Sequence, residues 1–209
     1  MIDWSWINDN WQQIVGFLID HVQLVVLGLS LGMVLASAMV FLALWKPALA
    51  RSLIYISGVL YTVPSLALFI LLMPFTGLTK TTSVIGLSLY SLLIIMQNVL
   101  IGIASAPVDV LEEARALGYT RVQRFIGVEL PLAIPSLLAG LRTTAVMLVG
   151  LVTVTAVIGQ GGLGQLFVTG LTLSFTTPVV VSLVLTVLLA LTFDFLFYVV
   201  DKVLVPWVR

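Results

Sequence analysis

The chain has no cysteine, one histidine and few charges. Without cysteine there are no disulfides, no thiol nucleophiles and no zinc–thiolate sites. With His21 the lone imidazole, the sequence offers no metal-ligand cluster and no nucleophile–base pair, so an enzyme is the least supported reading. No Gly-Lys-Ser/Thr ending occurs, which removes a Walker A phosphate loop. Nine basic residues balance nine acidic ones, so no excess positive charge points to nucleic acid. The N-terminus lacks the Lys/Arg that precede the apolar core of a signal peptide, and it is expected to be retained.

What is present is apolar. Of 209 residues, 61% are hydrophobic and 9% charged, with a mean hydropathy of +1.22. That composition belongs to an all-α integral membrane protein. A span takes about 20 helical residues, and five runs qualify: Val22–Trp45, Ser52–Pro74, Thr82–Ser105, Ser136–Gly159 and Thr177–Val200. Ahead of them, residues 1–21 mix Asp3, Asp9 and Asp20 with Trp4, Trp6 and Trp11, and read as an interfacial helix. Residues 22–209 then form one membrane domain, with a polar loop over 106–135. His21 stands at the junction and is expected to be a structural hydrogen-bonder.

The basic residues orient the spans. Lys46, Arg51, Arg115, Arg121, Arg124, Arg142, Lys202 and Arg209 fall on one side and Lys80 alone on the other. The positive-inside rule puts the N-terminus outside and the C-terminus and polar loop in the cytoplasm. Five spans satisfy that arrangement. All five tryptophans, including Trp45 and Trp207, then lie near interfaces.

Val108–Pro135 is an island of charge: Asp109, Glu112, Glu113, Arg115, Arg121, Arg124 and Glu129, against Lys80 alone over Ser52–Pro107. Pro107 suits a first helical position, and Gly118 suits the left-handed residue that ends a helix. Thr120 with Gln123 is a capping-box pattern for a second short helix, which Pro131 is expected to end at Leu130. Composition alone leaves two readings open, a polar helical loop or a docking surface.

Glu112-Glu113-Ala114, three residues, Gly118, nine residues, Val128, one residue and Leu130-Pro131 resemble the EAA loop of binding-protein-dependent ABC transporter permeases. Glu113 stands where the usual motif has Ala, and Val128 where it has Ile. The resemblance implies that Glu112, Glu113, Ala114, Gly118, Leu130 and Pro131 couple the membrane domain to a cytoplasmic ABC ATPase dimer. It also implies a second permease subunit, identical or a sister, an extracytoplasmic substrate-binding protein, and no cofactor on this chain, ATP and magnesium residing on the ATPases. The location implied is a prokaryotic cytoplasmic (inner) membrane.

Other features narrow this. Tyr61-Thr62-Val63-Pro64-Ser65 and Leu130-Pro-Leu-Ala-Ile-Pro135 look similar to glycine betaine/choline osmoprotectant permeases. Gly159-Gln160-Gly161-Gly162-Leu163-Gly164 satisfies a dinucleotide-binding spacing, but it follows a membrane span and no acid lies about 20 residues on. It resembles instead the Ile-Gly-x-Gly-Gly-Leu-Gly segment of osmoprotectant and methionine permeases, which implies a flexible turn or a re-entrant piece near the external gate. Pro64, mid-span, must free a backbone carbonyl; it is read either as a kink in a pore-lining helix or as an ordinary membrane proline. Tyr61, Thr62, Pro64, Ser65, Gln97, Asn98, Gly161, Gly162 and Gly164 are candidates for the path or gate. Gln97 and Asn98 either line it or bond another helix. Gly28, Gly32 and Ala36 form a small-xxx-small packing face.

Arg142 and Asp194 are charges within spans, where a central charge costs about 2.5–3.5 kcal/mol to insert. Similar depth on antiparallel spans suggests an ion pair; the rival is Asp194 as a counter-charge for a cationic solute. A cation cage is expected on the binding protein, leaving Tyr61, Phe69 and Tyr90 to assist inside the path. The expected function is import of quaternary ammonium osmoprotectants. Competing readings are import of methionine or a cationic metabolite on the same scaffold, an ATP-independent carrier or channel, and a non-transporting scaffold.

Overall fold

The computed structural model describes residues 2–206; Trp207 and Arg209, assigned above to an interface and to the basic side, lie outside the described residues. Those described are helical and contain no strand.

Asp3 starts α1 (Trp4–Asp9), its carboxylate accepting from the amides of Ser5 and Trp6 at 3.0 and 3.1 Å. The Asp3 amide donates to Thr177 Oγ1 at 2.9 Å, and Trp6 meets Phe175 edge-on at 5.7 Å. The interfacial helix therefore rests on the start of the last span. The break, however, falls at Asn10 and not at residue 21. Helix α2 (Trp11–Trp45) runs unbroken through His21 for 35 residues, roughly 52 Å at 1.5 Å per residue, longer than a hydrocarbon core of about 30 Å. Nothing between Gln12 and Val22 opposes a helix: Asp20 is held by Lys80 at 2.5 Å, and His21 is wholly buried.

The small-residue face of α2 is used within the chain, against α5 (Lys80–Ala104). A Cβ on Gly28 would lie 2.8 Å from Leu87 Cβ, and one on Gly32 would collide with Ser91 Oγ. Only absent side chains allow the two backbones that close. Among lipid tails such close packing, more than escape from water, holds helices together.

The second apolar run is two helices. Helix α3 (Pro47–Thr62) and α4 (Ser65–Thr76) meet at 101° across Val63-Pro64. Proline has no N–H to continue the ladder and disfavours helix before it. The carbonyl of Val63 accepts the hydroxyl of Tyr90, from α5. Of the two readings of Pro64, an ordinary membrane proline gives way to a break of near a right angle, its exposed backbone bonded by a neighbouring helix. Four helical stretches pass as spans by length and composition, and this bent pair counts as a fifth if it is one span.

In the charged loop, Pro107 is the residue before α6 (Val108–Ala116) and not its first helical position: at ψ 138° it is extended. Gly118, at φ +84°, closes the helix in a Schellman arrangement. Its amide donates to Arg115 O at 2.9 Å and the Tyr119 amide to Ala114 O at 3.0 Å. Thr120 and Gln123 make the reciprocal capping box of α7 (Arg121–Arg124).

Pro131 does not end that helix. The chain passes through a π-helical turn, Phe125–Glu129, straight into α8 (Leu130–Val154). The wider turn bonds Leu130 N to Phe125 O, and the proline that follows sits within the first two positions of α8. A π turn absorbs the missing donor that an α-helix would not tolerate. Arg121–Ile158 is therefore one span of 38 residues that begins in the charged loop. A 3₁₀ turn, Thr155–Ile158, then leads to the glycine loop, α9 (Gly164–Thr172) and α10 (Thr176–Leu204). The largest core cluster, including Leu24, Phe69, Leu148 and Leu163, draws on α2, α4, α5, α8, α9 and α10.

Candidate functional site

Helix α8 organises the site. Ala139, Thr143 and Gly150 are exposed along it, with Val146 and Val154 half-buried in the same stripe. Spacings of three, four and seven put them on one face, while Leu141, Ala145, Leu148 and Val152 point into the core. Two clefts open along this stripe.

The first, about 510 Å³, lies at the α3–α4 break, where Tyr61, Thr62, Pro64 and Ser65 face Tyr90 and, on α8, Met147 and Gly150. The second, about 610 Å³, lies nearer the charged loop between α8 and α10; Arg142, Thr143, Asp194 and Asp201 line it. There Arg142 Nε and Nη2 each meet one oxygen of Asp194, both at 2.6 Å. This two-pronged contact matches the planar guanidinium to the carboxylate, and it neutralises two charges that lipid would penalise singly. Both side chains remain about 40% exposed, on the cleft wall.

The other candidates lie elsewhere. Gln97 is exposed, outside either cleft, and Asn98 bonds its own helix at Ile94 O, 2.8 Å, filling the crossing with Gly140. Phe69 is buried against Gly86. Gly161, Gly162 and Gly164 belong to the glycine loop, at the end of the molecule carrying Asp20 and Lys80, where Gln160 reaches Leu78 O at 3.5 Å. That loop is pinned at Leu163. Its amide donates to His21 Nδ1 at 3.3 Å, and its carbonyl accepts Ser182 Oγ at 2.7 Å. The other imidazole nitrogen lies 2.9 Å from Val149 O, so Nε2 carries the proton and Nδ1 accepts. A Cβ on Gly162 would meet His21 backbone at 2.7 Å. These glycines serve close packing of backbone on backbone, and no phosphate need be invoked.

At the opposite end, Glu112 and Glu113 are exposed and Ala114 is buried. None of the three ion pairs among the described residues involves either glutamate. Leu130 and Pro131 start α8. Between the charges, Val108, Leu117, Val122 and Ile126 are each 59–76% exposed. A loop that needed only solubility would not display four large apolar side chains in water. Arg121 anchors it to the end of α2 through Leu44 O at 2.6 Å, and Arg124 pairs with Glu129 at 2.7 Å.

Residues 28–209 match the family described as binding-protein-dependent transport system inner membrane component. The chain belongs to that family. It is a multi-pass permease, the membrane component of such a system. It is 32% identical over 95% of its length to the osmoprotectant import permease OsmW of Salmonella typhimurium, covering 94% of that protein. It is also 32% identical to the choline transport system permease OpuBB of Bacillus subtilis, over 90% of this chain and 86% of that one. The carnitine transport permease OpuCB of Listeria monocytogenes is again 32% identical, over 84% and 81%. In fold it is similar to a chain of the MetNI methionine ABC transporter in an inward-facing conformation, with a TM-score of 0.79 over 97% of this chain and 99% of that one at 20% identity. An amino acid ABC transporter crystallised with histidines gives the same score over the same shares at 22% identity.

His21 is the structural hydrogen-bonder expected of it, but sequence reasoning missed its partners, Val149 and the Leu163 that Ser182 also holds, as well as the exposed stripe of α8 and Met147. The stripe had a signal in the helical spacing of Ala139, Thr143, Val146 and Gly150. The partners of His21, 128 and 142 residues away, had none.

Proposed function

We propose that this permease imports quaternary ammonium osmoprotectants, with glycine betaine, choline and carnitine as the class. An extracytoplasmic binding protein delivers the solute. A pair of cytoplasmic ATPases, which carry the ATP and magnesium, supplies the work, and a second permease subunit completes the path along α8. The carrying observation is the likeness, over nearly the whole chain, to relatives named for osmoprotectant, choline and carnitine transport. The exposed apolar residues beside Glu112 and Glu113 support docking of α6 into an ATPase cleft, with Ala114 and Gly118 shaping the helix and Leu130-Pro131 joining it to the path. In this reading the charged loop is cytoplasmic and the glycine loop extracytoplasmic.

The test is uptake into proteoliposomes holding the permease, its ATPase and its binding protein. ATP-dependent entry of labelled choline or glycine betaine is expected. Entry of methionine in their place would move the chain to another solute, and entry with no ATPase present would reduce it to a carrier or channel.

A further inference from the structure

The cleft at the α3–α4 break holds an aromatic pair in a lining without charge. Tyr61 and Tyr90 stand edge to face, centroids 6.0 Å apart and planes at 68°. Tyr90 is buried and its hydroxyl is committed to Val63 O, which fixes its ring. Tyr61 is 39% exposed, and its hydroxyl reaches Met147 Sδ at 3.9 Å, so the ring is braced by Tyr90 on one side and α8 on the other. Among the described residues, no carboxylate or basic side chain lines this cleft. The two helix ends meeting there, α3 by its C-terminus and α4 by its N-terminus, carry opposite partial charges and favour neither sign between them. The aromatic faces decide the matter, because each carries negative charge above its plane.

An anion would be repelled by them. A primary ammonium, tightly hydrated, would lose its water with no carboxylate to replace it. A quaternary ammonium spreads its charge over methyl groups that cannot donate hydrogen bonds, and ring faces are the surface that attracts it. We infer that Tyr61, backed by Tyr90, is a specificity-determining residue that receives the quaternary ammonium head during its passage. The inference rests on the solute class proposed above and adds a site within the membrane, separate from any cage on the binding protein.

The test replaces Tyr61 with phenylalanine and then with phenylalanines bearing one, two and three ring fluorines, which keep the shape and drain the ring face. Choline uptake is measured in the complete importer with its binding protein saturated. The rate is expected to fall with each fluorine, by about fivefold across the series, and Tyr61→Leu is expected to fall at least as far. A flat series overturns the inference. A second variant does not depend on position 61: Met147→Lys puts a fixed cation beside the ring and is expected to cut choline uptake at least tenfold with membrane insertion unchanged. Uptake at the parent rate in that variant also overturns it. If the parent importer moves no quaternary ammonium solute, the proposed function fails and this site with it; a flat fluorine series in an active importer removes the site alone.

Discussion

At the scale of single residues, the contact between Arg142 and Asp194 carries the sharpest expectation. Each side chain alone leaves an unpaired charge on a span, so Arg142→Ala and Asp194→Ala should each lose most uptake. The exchange of Arg142→Asp with Asp194→Arg in one chain should recover a measurable part of it. No recovery, with both single variants severely defective, would remove the pairing and favour Asp194 as a counter-charge for solute. Asp3 gives a pH expectation. Its carboxyl is held below the ordinary carboxylate value, first by the Ser5 hydroxyl and then by the Trp6 amide. A depressed folded-state value means that its stabilising contribution is complete above the ordinary range and is lost as pH falls through the lowered one. Fluorescence of the tryptophans around α1 should therefore stay level from neutral pH to about pH 5 and change only in stronger acid.

At the scale of elements, the charged loop and the glycine loop each turn on one glycine. Replacing Gly118, at φ +84°, with valine forces a β-branched residue into the left-handed region. ATP-coupled uptake should fall at least tenfold while the amount of inserted protein stays constant; normal coupled uptake would count against this loop as the point of coupling. Gly162→Ala adds a methyl 2.7 Å from the His21 backbone, at φ +51°. It should destabilise the permease by about 1–3 kcal/mol, read as a lower melting temperature in detergent. The elements differ in how far the sequence announces them. Gly118 and the Thr120/Gln123 box are local grammar, written within four residues, and they are legible. The fate of Pro131 is not, because proline rules describe an α-helix, and here the residues ahead of it widen into a π turn. The angle at Pro64 was also out of reach: a proline marks a break, but its size depends on Tyr90, 26 residues away, bonding the freed carbonyl.

At the scale of the whole molecule, hydropathy found the apolar middles of the spans but not all of their ends: the first span already runs from Trp11 and the fourth from Arg121. The site was only partly legible, since a face of α8 is defined by what does not cover it, and that depends on where five other segments pack. Orientation can be read directly because the chain lacks cysteine. A single cysteine at Leu117 should react with a membrane-impermeant maleimide only from the cytoplasmic side, and one at Gln160 only from outside; the reverse pattern would invert the proposed topology.

The run from Arg121 to Ile158 has a mechanical corollary. Thirty-eight residues of continuous helix make a lever of roughly 57 Å. If the docked end is held and the helix leans by about 10°, its far tip sweeps an arc of about 10 Å. Among the described residues the lever's departures from α geometry lie near its two ends, the π turn beside the charged loop and the 3₁₀ turn beside the glycine loop. Little of the stroke is then absorbed along the way, and most of it arrives beside the glycine loop.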